Sequence, residues 1–249
     1  RIAQVLGAWD RAIATVQQLL AAQQERKRGL MQELLTGRRR FKGFGGKWKE
    51  CELGELGQFR TSSVDKKLVE GQKRVRLVNY MDVYNNQRIH GGMSFMEVTA
   101  KDSQLQSSSL RRGDILFTPS SETPDDIGHS AVVVDDMDNT LFSYHVMRFR
   151  PHDDTLDLDF RAYVFNNDRI LKQFSAKATG STRYTLSASD FGDTLARFPS
   201  DKAEQQAIAR LLMASDAEIE ALTNQLNHLT TQKRGLMQQL LTGAVRVKV

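Results

Sequence analysis

Apolar residues recur at spacings of three and four along two long segments, one at each end of the chain. The first segment runs from Arg1 to about Gly37 without a proline, and its stripe includes Ile2, Val5, Leu6, Trp9, Ile13, Val16 and Leu20. The second runs from about residue 200 to Gly243 and carries the same spacing through Ile208, Leu212, Ile219, Leu226 and Leu240. This periodicity predicts two amphipathic helices.

Residues suited to end a helix stand at the borders of both segments. Gly37 and Gly243 follow the last apolar positions, where a C-cap glycine belongs, and arginines follow Gly37. Ser200 or Asp201 is a suitable N-cap for the second helix, with Glu204 spaced for a capping box. Each helix would be about 55–60 Å long at 1.5 Å per residue.

The two segments also share part of their amino-acid sequence. "KRGLMQELLTGRRRF" at 27–41 returns as "KRGLMQQLLTGAVRV" at 233–247, 206 residues later, and the same offset places Asp10 on Asp216. A long helix with a narrow apolar seam generally packs lengthwise against another helix. Two core helices within one globule are the alternative.

The stretch between the helices changes from helical periodicity to short strand-like runs bounded by turn residues. The predicted strand runs are "RVRLVNY", "GDILFT", "SAVVVDD", "LFSYHVMRF" and "RAYVFN", and "DDMDNT" resembles a hairpin connection. The fold class is therefore α+β, with one globular mixed domain flanked by two long helices. We expect the helices at 1–40 and 200–243, the domain at 41–199 and a short tail at 244–249.

Composition narrows the chemistry. The 249 residues carry 35 lysines and arginines against 30 acids, a mild excess that permits nucleic-acid binding. A single cysteine, Cys51, rules out an intrachain disulfide and fits a reducing compartment. No apolar run is long enough to span a membrane. The five histidines lack metal-ligand spacing, no Walker A motif occurs, and no two prolines adjoin, which excludes the Asn-Pro-Pro-aromatic motif of amino-methyltransferases.

The loops of the middle domain are rich in arginine, lysine, hydroxyl, amide and aromatic side chains, the groups that contact phosphates and base edges. Any one of these loops is also compatible with ordinary solvated surface. The candidate DNA-binding residues are Arg60, Thr61, Ser62, Ser63, Lys66, Lys67, Tyr80, Asn85, Arg88, His90, Ser120, Ser121, Tyr144, His145, Arg148, Lys177, Thr182, Arg183 and Tyr184.

Four features resemble the specificity subunit of type I restriction–modification systems. They are the two copies of "KRGLMQ…LLTG", the segment "RGDILFT" and the segment "FPSDKAEQQAIARLLMASDAEIEAL". In addition, "KWKECELGELGQF" resembles the usual opening of the family's target recognition domain. The resemblance implies two helices packed antiparallel as a spacer and a domain that reads half of a split DNA target. The resemblance also implies that this chain is not catalytic. We expect it to contain no metal site and no cofactor site.

The resemblance also implies partners in the cytoplasm. Methyltransferase subunits would supply S-adenosylmethionine chemistry, and restriction subunits, bound indirectly, would supply ATP- and Mg-dependent translocation and cleavage. A full specificity subunit has two recognition domains, whereas this chain has one, and it begins with Arg1 inside a helical pattern. It is either the C-terminal half of a two-domain subunit, which we favour, or a half-subunit that forms a homodimer through the long helices.

Two other functions stay open on the residues alone. A coiled-coil scaffold whose middle domain binds protein is the first. The second is a metal-dependent nuclease, because "PHDDTLDLDFR" places Asp153, Asp154 and Asp159 near Pro151. Such a nuclease requires a lysine after the second acid, and Arg161 stands there instead.

Overall fold

A computed structural model describes residues 2–246, and it divides the chain into two compact units. Of these residues, one unit contains 2–31 and 210–246, and the other contains 32–209. The helices are α1 (Ile2–Leu34), α2 (Leu53–Leu56), α3 (Tyr80–Tyr84), α4 (Asp102–Ser107), α5 (Leu158–Val164), α6 (Asp168–Lys177), α7 (Ala188–Gly192) and α8 (Lys202–Thr242). The strands are β1 (Trp48–Glu52), β2 (Gly57–Thr61), β3 (Lys73–Val78), β4 (Arg88–Ile89), β5 (Met96–Ala100), β6 (Ile115–Phe117), β7 (Ser120–Ser121), β8 (Ser130–Val133), β9 (Thr140–Phe142), β10 (Met147–Pro151), β11 (Tyr184–Thr185) and β12 (Leu195–Pro199).

The two long helices run antiparallel in the first unit. Lys27 pairs with Asp216 near one end of the contact, and Lys233 pairs with Asp10 near the other. The 206-residue offset relates these ion pairs, because it converts Lys27 into Lys233 and Asp10 into Asp216. The repeated sequence therefore forms the same contact twice, in opposite directions.

Both helices end as their glycines predict. Gly37 and Gly243 each adopt φ of 74°, the left-handed conformation that favours glycine. The Gly37 N–H donates to the Leu34 carbonyl at 3.3 Å, and the Gly243 N–H donates to the Leu240 carbonyl at 3.4 Å.

The start of α8 differs in part from the prediction. Asp201 is the N-cap, since its Oδ1 accepts the Ala203 N–H at 2.8 Å. The predicted capping box is wrong, because the Glu204 carboxylate accepts two hydrogen bonds from the Arg40 guanidinium, at 2.7 and 2.6 Å. Glu204 is 1% exposed, and the guanidinium supplies the charge that a buried carboxylate needs.

The middle domain contains four sheets. A five-stranded sheet has the order β2-β10-β6-β8-β4, a three-stranded sheet has the order β5-β3-β9, and β1-β12 and β11-β7 form two-stranded sheets. On one face of the five-stranded sheet, Phe59, Phe117 and Phe149 contact the rings of Phe165 and Phe191. A second apolar cluster joins Leu116 and Val133 of this sheet to Val78 and Phe142 of the three-stranded sheet.

The α+β class and the two long antiparallel helices are confirmed, but three local predictions are wrong. "LFSYHVMRF" is two strands, β9 and β10, which belong to different sheets. "DDMDNT" connects those same two sheets, since β8 and β9 do not pair with each other, so it is not a hairpin.

The first four residues of "RAYVFN", 161–164, lie in helix α5 rather than in a strand. The Asp157 side chain caps this helix by accepting the N–H groups of Asp159 and Phe160. Because residues 160–165 are all buried, the run has no exposed face, and periodicity cannot distinguish a buried helix from a buried strand.

Candidate nucleic-acid interface

Two segments of the middle domain that carry predicted DNA-binding residues lie side by side. The Tyr144 N–H donates to the Val64 carbonyl at 3.1 Å, which places the turn after β9 against the loop after β2. Tyr144 is 46% exposed, and its ring lies 3.9 Å from that of His145. Lys66 and Lys67 are exposed on the neighbouring loop, and Lys67 pairs with Asp65 at 2.6 Å.

His145 links these loops electrostatically to Arg183. Partial burial lowers the pKa of His145, and the positive charges of Arg183 and Lys66 lower it further. His145 is therefore neutral at physiological pH. These residues, Lys66, Lys67, Tyr144, His145 and Arg183, are called the basic loop face below.

Strands β7 and β11 bring the serines predicted in one loop to the arginine predicted in another. Tyr184 pairs with Ser121 in the antiparallel register. The Arg183 Nε and Nη2 groups both donate to the Ser120 Oγ, at 3.2 and 3.0 Å. The Ser121 Oγ accepts the Thr123 N–H at 3.3 Å, and Thr182 is exposed beside Arg183.

Tyr80 lies near Arg183 on the aromatic side of this region. Burial raises the pKa of Tyr80, the Asp126 and Glu122 carboxylates raise it further, and Arg183 opposes them. The Tyr80 ring stacks on Tyr84 with 5.9 Å between centroids, and the Tyr84 hydroxyl donates to Asp126. The hydroxyls, the cation and the aromatic rings that sequence placed in separate loops thus occupy one region.

Strand β2 presents a second group. Arg60 and Thr61 are exposed, and Arg60 lies opposite Arg148 in the register of β2 and β10. The Ser62 hydroxyl donates to the Ser108 Oγ at 3.0 Å, and the Ser63 carbonyl accepts the Gln104 amide at 2.8 Å. Ser62 and Ser63 therefore also support the loop internally.

Arg148 is buried, unlike its neighbour Arg60. Its Nη1 donates to the Ser109 carbonyl at 2.7 Å, and its guanidinium lies 5.3 Å from the centre of the Phe142 ring. Burial, followed by the charge of Arg150, lowers the pKa of Arg148 to about 10, so the side chain stays protonated at neutral pH. Arg150 forms two hydrogen bonds with the buried Asp114, at 2.6 and 2.7 Å.

Sequence reasoning missed Arg150, although a signal for it was present. The alternation of β10 places Arg148 and Arg150 on the same face of the sheet, and both donate to the Ser109 carbonyl. The alternation of side chains along a strand predicts from sequence alone that the two arginines lie on the same face.

A comparison with protein families decides what kind of domain this is. Residues 45–231 match the family model "Type I restriction modification DNA specificity domain". The chain belongs to this family. The general role of the family is DNA recognition, and specificity subunits are generally non-catalytic.

Solved specificity subunits have the same fold as this chain. The S subunit of a type I restriction–modification system from M. genitalium aligns with TM-score 0.61 at 13% identity, covering 96% of this chain and 59% of that chain. A structure described for complex assembly and conformational transition of the type I R-M system aligns with TM-score 0.61 at 17% identity, covering 96% and 57%. The HsdS subunit from Thermoanaerobacter tengcongensis aligns with TM-score 0.58 at 16% identity, covering 96% and 56%. The chain thus spans less than two thirds of the length of each of these proteins.

The other predicted residues of this specificity domain lie outside the basic loop face. Arg88 pairs with Asp159 at 2.8 Å, and Lys177 donates to the Asp190 carbonyl and the Thr194 hydroxyl. Asn85 and His90 are exposed, at the end of α3 and after β4. A DNA contact by any of these four residues stays a prediction.

The acidic segment considered for a nuclease has a structural arginine in place of the lysine. Arg161 is 5% exposed and donates to the carbonyls of Leu156, Gly113 and Asp153 and to the Asp154 carboxylate. Within residues 2–246, no group of three or more histidine, cysteine, aspartate or glutamate side chains is arranged to hold a metal ion.

Two further features bear on other chemistry. Burial raises the pKa of Cys51, and the Glu55 carboxylate raises it further, which keeps the thiol protonated and lowers its reactivity. None of the helices in the described part of the chain is both long enough and apolar enough to cross a membrane.

Proposed function

We propose that this chain reads one half of a bipartite DNA target and positions methyltransferase subunits on it. The domain at 41–199 would contact the DNA, and the helices at 1–40 and 200–243 would form the spacer on which the partner subunits dock. The observation that carries the proposal is the basic loop face, where lysines, an arginine and the aromatic rings of Tyr144 and His145 come together from separate loops.

The charges of the basic loop face and of β2 are suited to a polyanion. Arg60 and Lys66 are exposed and have no acidic partner within residues 2–246, and Arg183 is bonded to a neutral serine. Each such cation that meets a phosphate releases a condensed counterion, so binding depends steeply on salt. We expect Lys67 to contribute less to DNA binding, because its charge is already neutralised by Asp65.

The partner subunits supply the chemistry in this proposal. Methyltransferase subunits bring S-adenosylmethionine, restriction subunits join the complex through them and use ATP and Mg²⁺, and the assembly works in the cytoplasm. The other half of the target is read by a second recognition domain, which belongs either to the same polypeptide or to a second copy joined through the long helices.

Salt-dependent binding by the full chain tests the proposal. Fluorescence anisotropy with duplex DNA, with and without the purified methyltransferase subunit, would compare wild type with Arg60→Ala, Lys66→Ala and Arg183→Ala. We expect Arg60→Ala and Lys66→Ala each to reduce the slope of log affinity against log salt by about 0.9, Arg183→Ala to weaken binding, and all three variants to leave the subunit complex intact. Lys49→Ala is the matched control, because Lys49 is an exposed cation on the separate β1–β12 sheet.

Two outcomes would contradict the proposal. A chain that binds neither DNA nor the methyltransferase subunit would exclude it. Unchanged DNA affinity in all three variants, with the complex intact, would favour the scaffold function, in which the domain binds protein.

A further inference from the structure

The β7–β11 pair is a short ribbon that ends at two opposite charges. Tyr184 pairs with Ser121 and Thr185 with Ser120, so continuing the register one residue places Arg183 opposite Glu122. The pair forms its own two-stranded sheet, in which Ser120 and Ser121 are buried, whereas the end of the pair at Glu122 and Arg183 is exposed. The major groove of B-DNA is wide enough to admit the exposed end of such a pair.

A tight loop fixes the backbone of Arg183. Thr179 and Thr185 exchange backbone hydrogen bonds of 3.1 and 2.9 Å, which closes the loop around residues 180–184. Gly180 adopts φ of 142°, and a Cβ there would lie 2.1 Å from the Arg183 carbonyl oxygen. The loop therefore requires glycine at 180 and allows Arg183 little backbone freedom.

The Arg183 side chain is oriented by hydrogen bonds that do not use all of its N–H groups. It is exposed, and its Nε and Nη2 groups donate to the Ser120 Oγ. The guanidinium has five N–H groups, so others remain for a ligand. A guanidinium already oriented by a neighbour loses less freedom when it binds a base edge.

Three acidic residues follow β7, namely Glu122, Asp125 and Asp126, and Glu122 differs from the other two in having no hydrogen-bond or ion-pair partner within residues 2–246. The Asp125 carboxylate accepts the Ser175 hydroxyl, and Asp126 binds Tyr84 and His129. Glu122 is exposed and makes no hydrogen bond or ion pair within residues 2–246, although it lies across the ribbon from Arg183.

A carboxylate beside DNA needs a specific role, because phosphates repel it. In the major groove that role is to accept the N4 amino group of cytosine, whereas arginine donates to O6 and N7 of guanine. We infer that the exposed end of the β7–β11 ribbon faces the major groove and that Arg183 there reads a guanine while Glu122 reads a cytosine. This inference rests on the proposed function and assigns base recognition within it.

Enrichment from a randomised duplex library tests the inference, with the full chain bound to its methyltransferase subunit as the selecting complex. We expect Glu122→Gln to shift one position of the enriched site from cytosine toward adenine, since an amide pairs with adenine N6 and N7. The preference for cytosine there should fall about 10-fold, within the range for one base contact. Glu70→Gln, at an exposed acid in the loop before β3, should leave the site unchanged.

Arg183→Lys tests the other half of the ribbon. Lysine keeps the charge but lacks the planar fork, so the preference for guanine at one position should fall about 10-fold. Replacing that guanine with 7-deazaguanine should weaken wild-type binding and leave the Arg183→Lys complex nearly unaffected. Arg74→Lys, at an exposed arginine of β3 paired with Glu97, is the control.

The outcomes separate this inference from the function on which it rests. If the wild-type complex enriches no sequence, the proposed function itself fails. If it enriches a site that Glu122→Gln and Arg183→Lys leave unchanged, only the ribbon assignment is overturned. A uniform loss of affinity in Arg183→Lys with an unchanged site would make Arg183 a phosphate contact and also overturn it. Matching circular dichroism spectra would verify that each variant is folded.

Discussion

The helix pair and the middle domain are stabilised in different ways. Within residues 2–31 and 210–246, the buried apolar side chains are Val16, Leu212 and Leu240. The domain, by contrast, buries nine large aromatic side chains to below 2% exposure, Phe117 and Tyr163 among them. The helices are a repeated structure with a thin seam and paired charges, and the domain is a unique structure with a thick core. A repeated scaffold thus accompanies an unrepeated domain whose loops can vary without loss of the core.

Removing the centre of the domain core should have the largest effect. Phe117 contacts the rings of Phe59, Phe165, Phe174 and Phe191, so Phe117→Ala should lower the free energy of unfolding by about 4 kcal/mol. Leu226→Ala, at a half-buried position of α8, should cost about 1 kcal/mol. Urea unfolding followed by circular dichroism would measure both. Equal costs would contradict the difference between the two regions.

The buried ion pair of the domain should come next. Asp114 is 1% exposed and holds Arg150, so Asp114→Ala leaves a partly buried guanidinium without its counter-charge and should cost about 3 kcal/mol. The matched exposed pair is Arg74 and Glu97, and Glu97→Ala should cost less than about 0.5 kcal/mol. The same urea experiment measures both variants. A loss below about 1 kcal/mol in Asp114→Ala would show that the pair contributes little.

A smaller effect should depend on pH. Hydrogen bonds from the Ser187 hydroxyl and N–H lower the pKa of Asp190 in helix α7. A lowered folded pKa means that the contribution is complete above the unfolded value of about 3.9 and is lost as pH falls through the folded pKa. Asp190→Ala should therefore cost about 1 kcal/mol at pH 7, and its gap from wild type should narrow below pH ~4.

The control for this pH effect is Asp193→Ala. The Asp193 carboxylate, just beyond the same helix, makes no hydrogen bond or ion pair in the described residues. Thermal melting at several pH values would follow both variants. A gap for Asp190→Ala that stays constant down to pH ~2 would contradict the assignment.

The smallest effect should come from the repeated ion pairs of the helices. Asp10→Asn and Asp216→Asn break the contacts with Lys233 and Lys27 that the 206-residue offset relates. Each should cost less than about 0.5 kcal/mol, because partly exposed ion pairs contribute little. The double variant should lose about the sum in thermal melting. A loss of several kcal/mol from either single variant would show that the seam depends on these charges.

Sequence predicted the repeated region better than the unrepeated one, for physical reasons. Local spacing determines a long amphipathic helix, so the stripe and the caps at Gly37 and Gly243 were readable directly. In the domain, burial depends on distant pairings. Residues 160–165 are all buried and show no alternation of exposed and buried positions, so the pattern of "RAYVFN" predicts a strand although its first four residues lie in α5.

The candidate interface shows the same limit. The sequence showed which residue types the loops contain, but it could not show which loops contact one another. The contacts of Tyr144 with Val64 and of Arg183 with Ser120 depend on tertiary structure alone. Sequence also could not distinguish exposed Arg60 from buried Arg148, which face each other across two strands. Whether these residues contact DNA stays a prediction.

Methylation mapping tests the central claim most directly, namely that the unrepeated domain selects the DNA sequence and the repeated helices do not. Cells would express the full chain with its methyltransferase subunit, as wild type, as the Arg183→Lys domain variant, and as the Asp10→Asn and Asp216→Asn helix variants. The account predicts an identical methylated motif in wild type and both helix variants, and a relaxed or shifted motif in Arg183→Lys. A motif altered by the helix variants and unchanged by Arg183→Lys would contradict it.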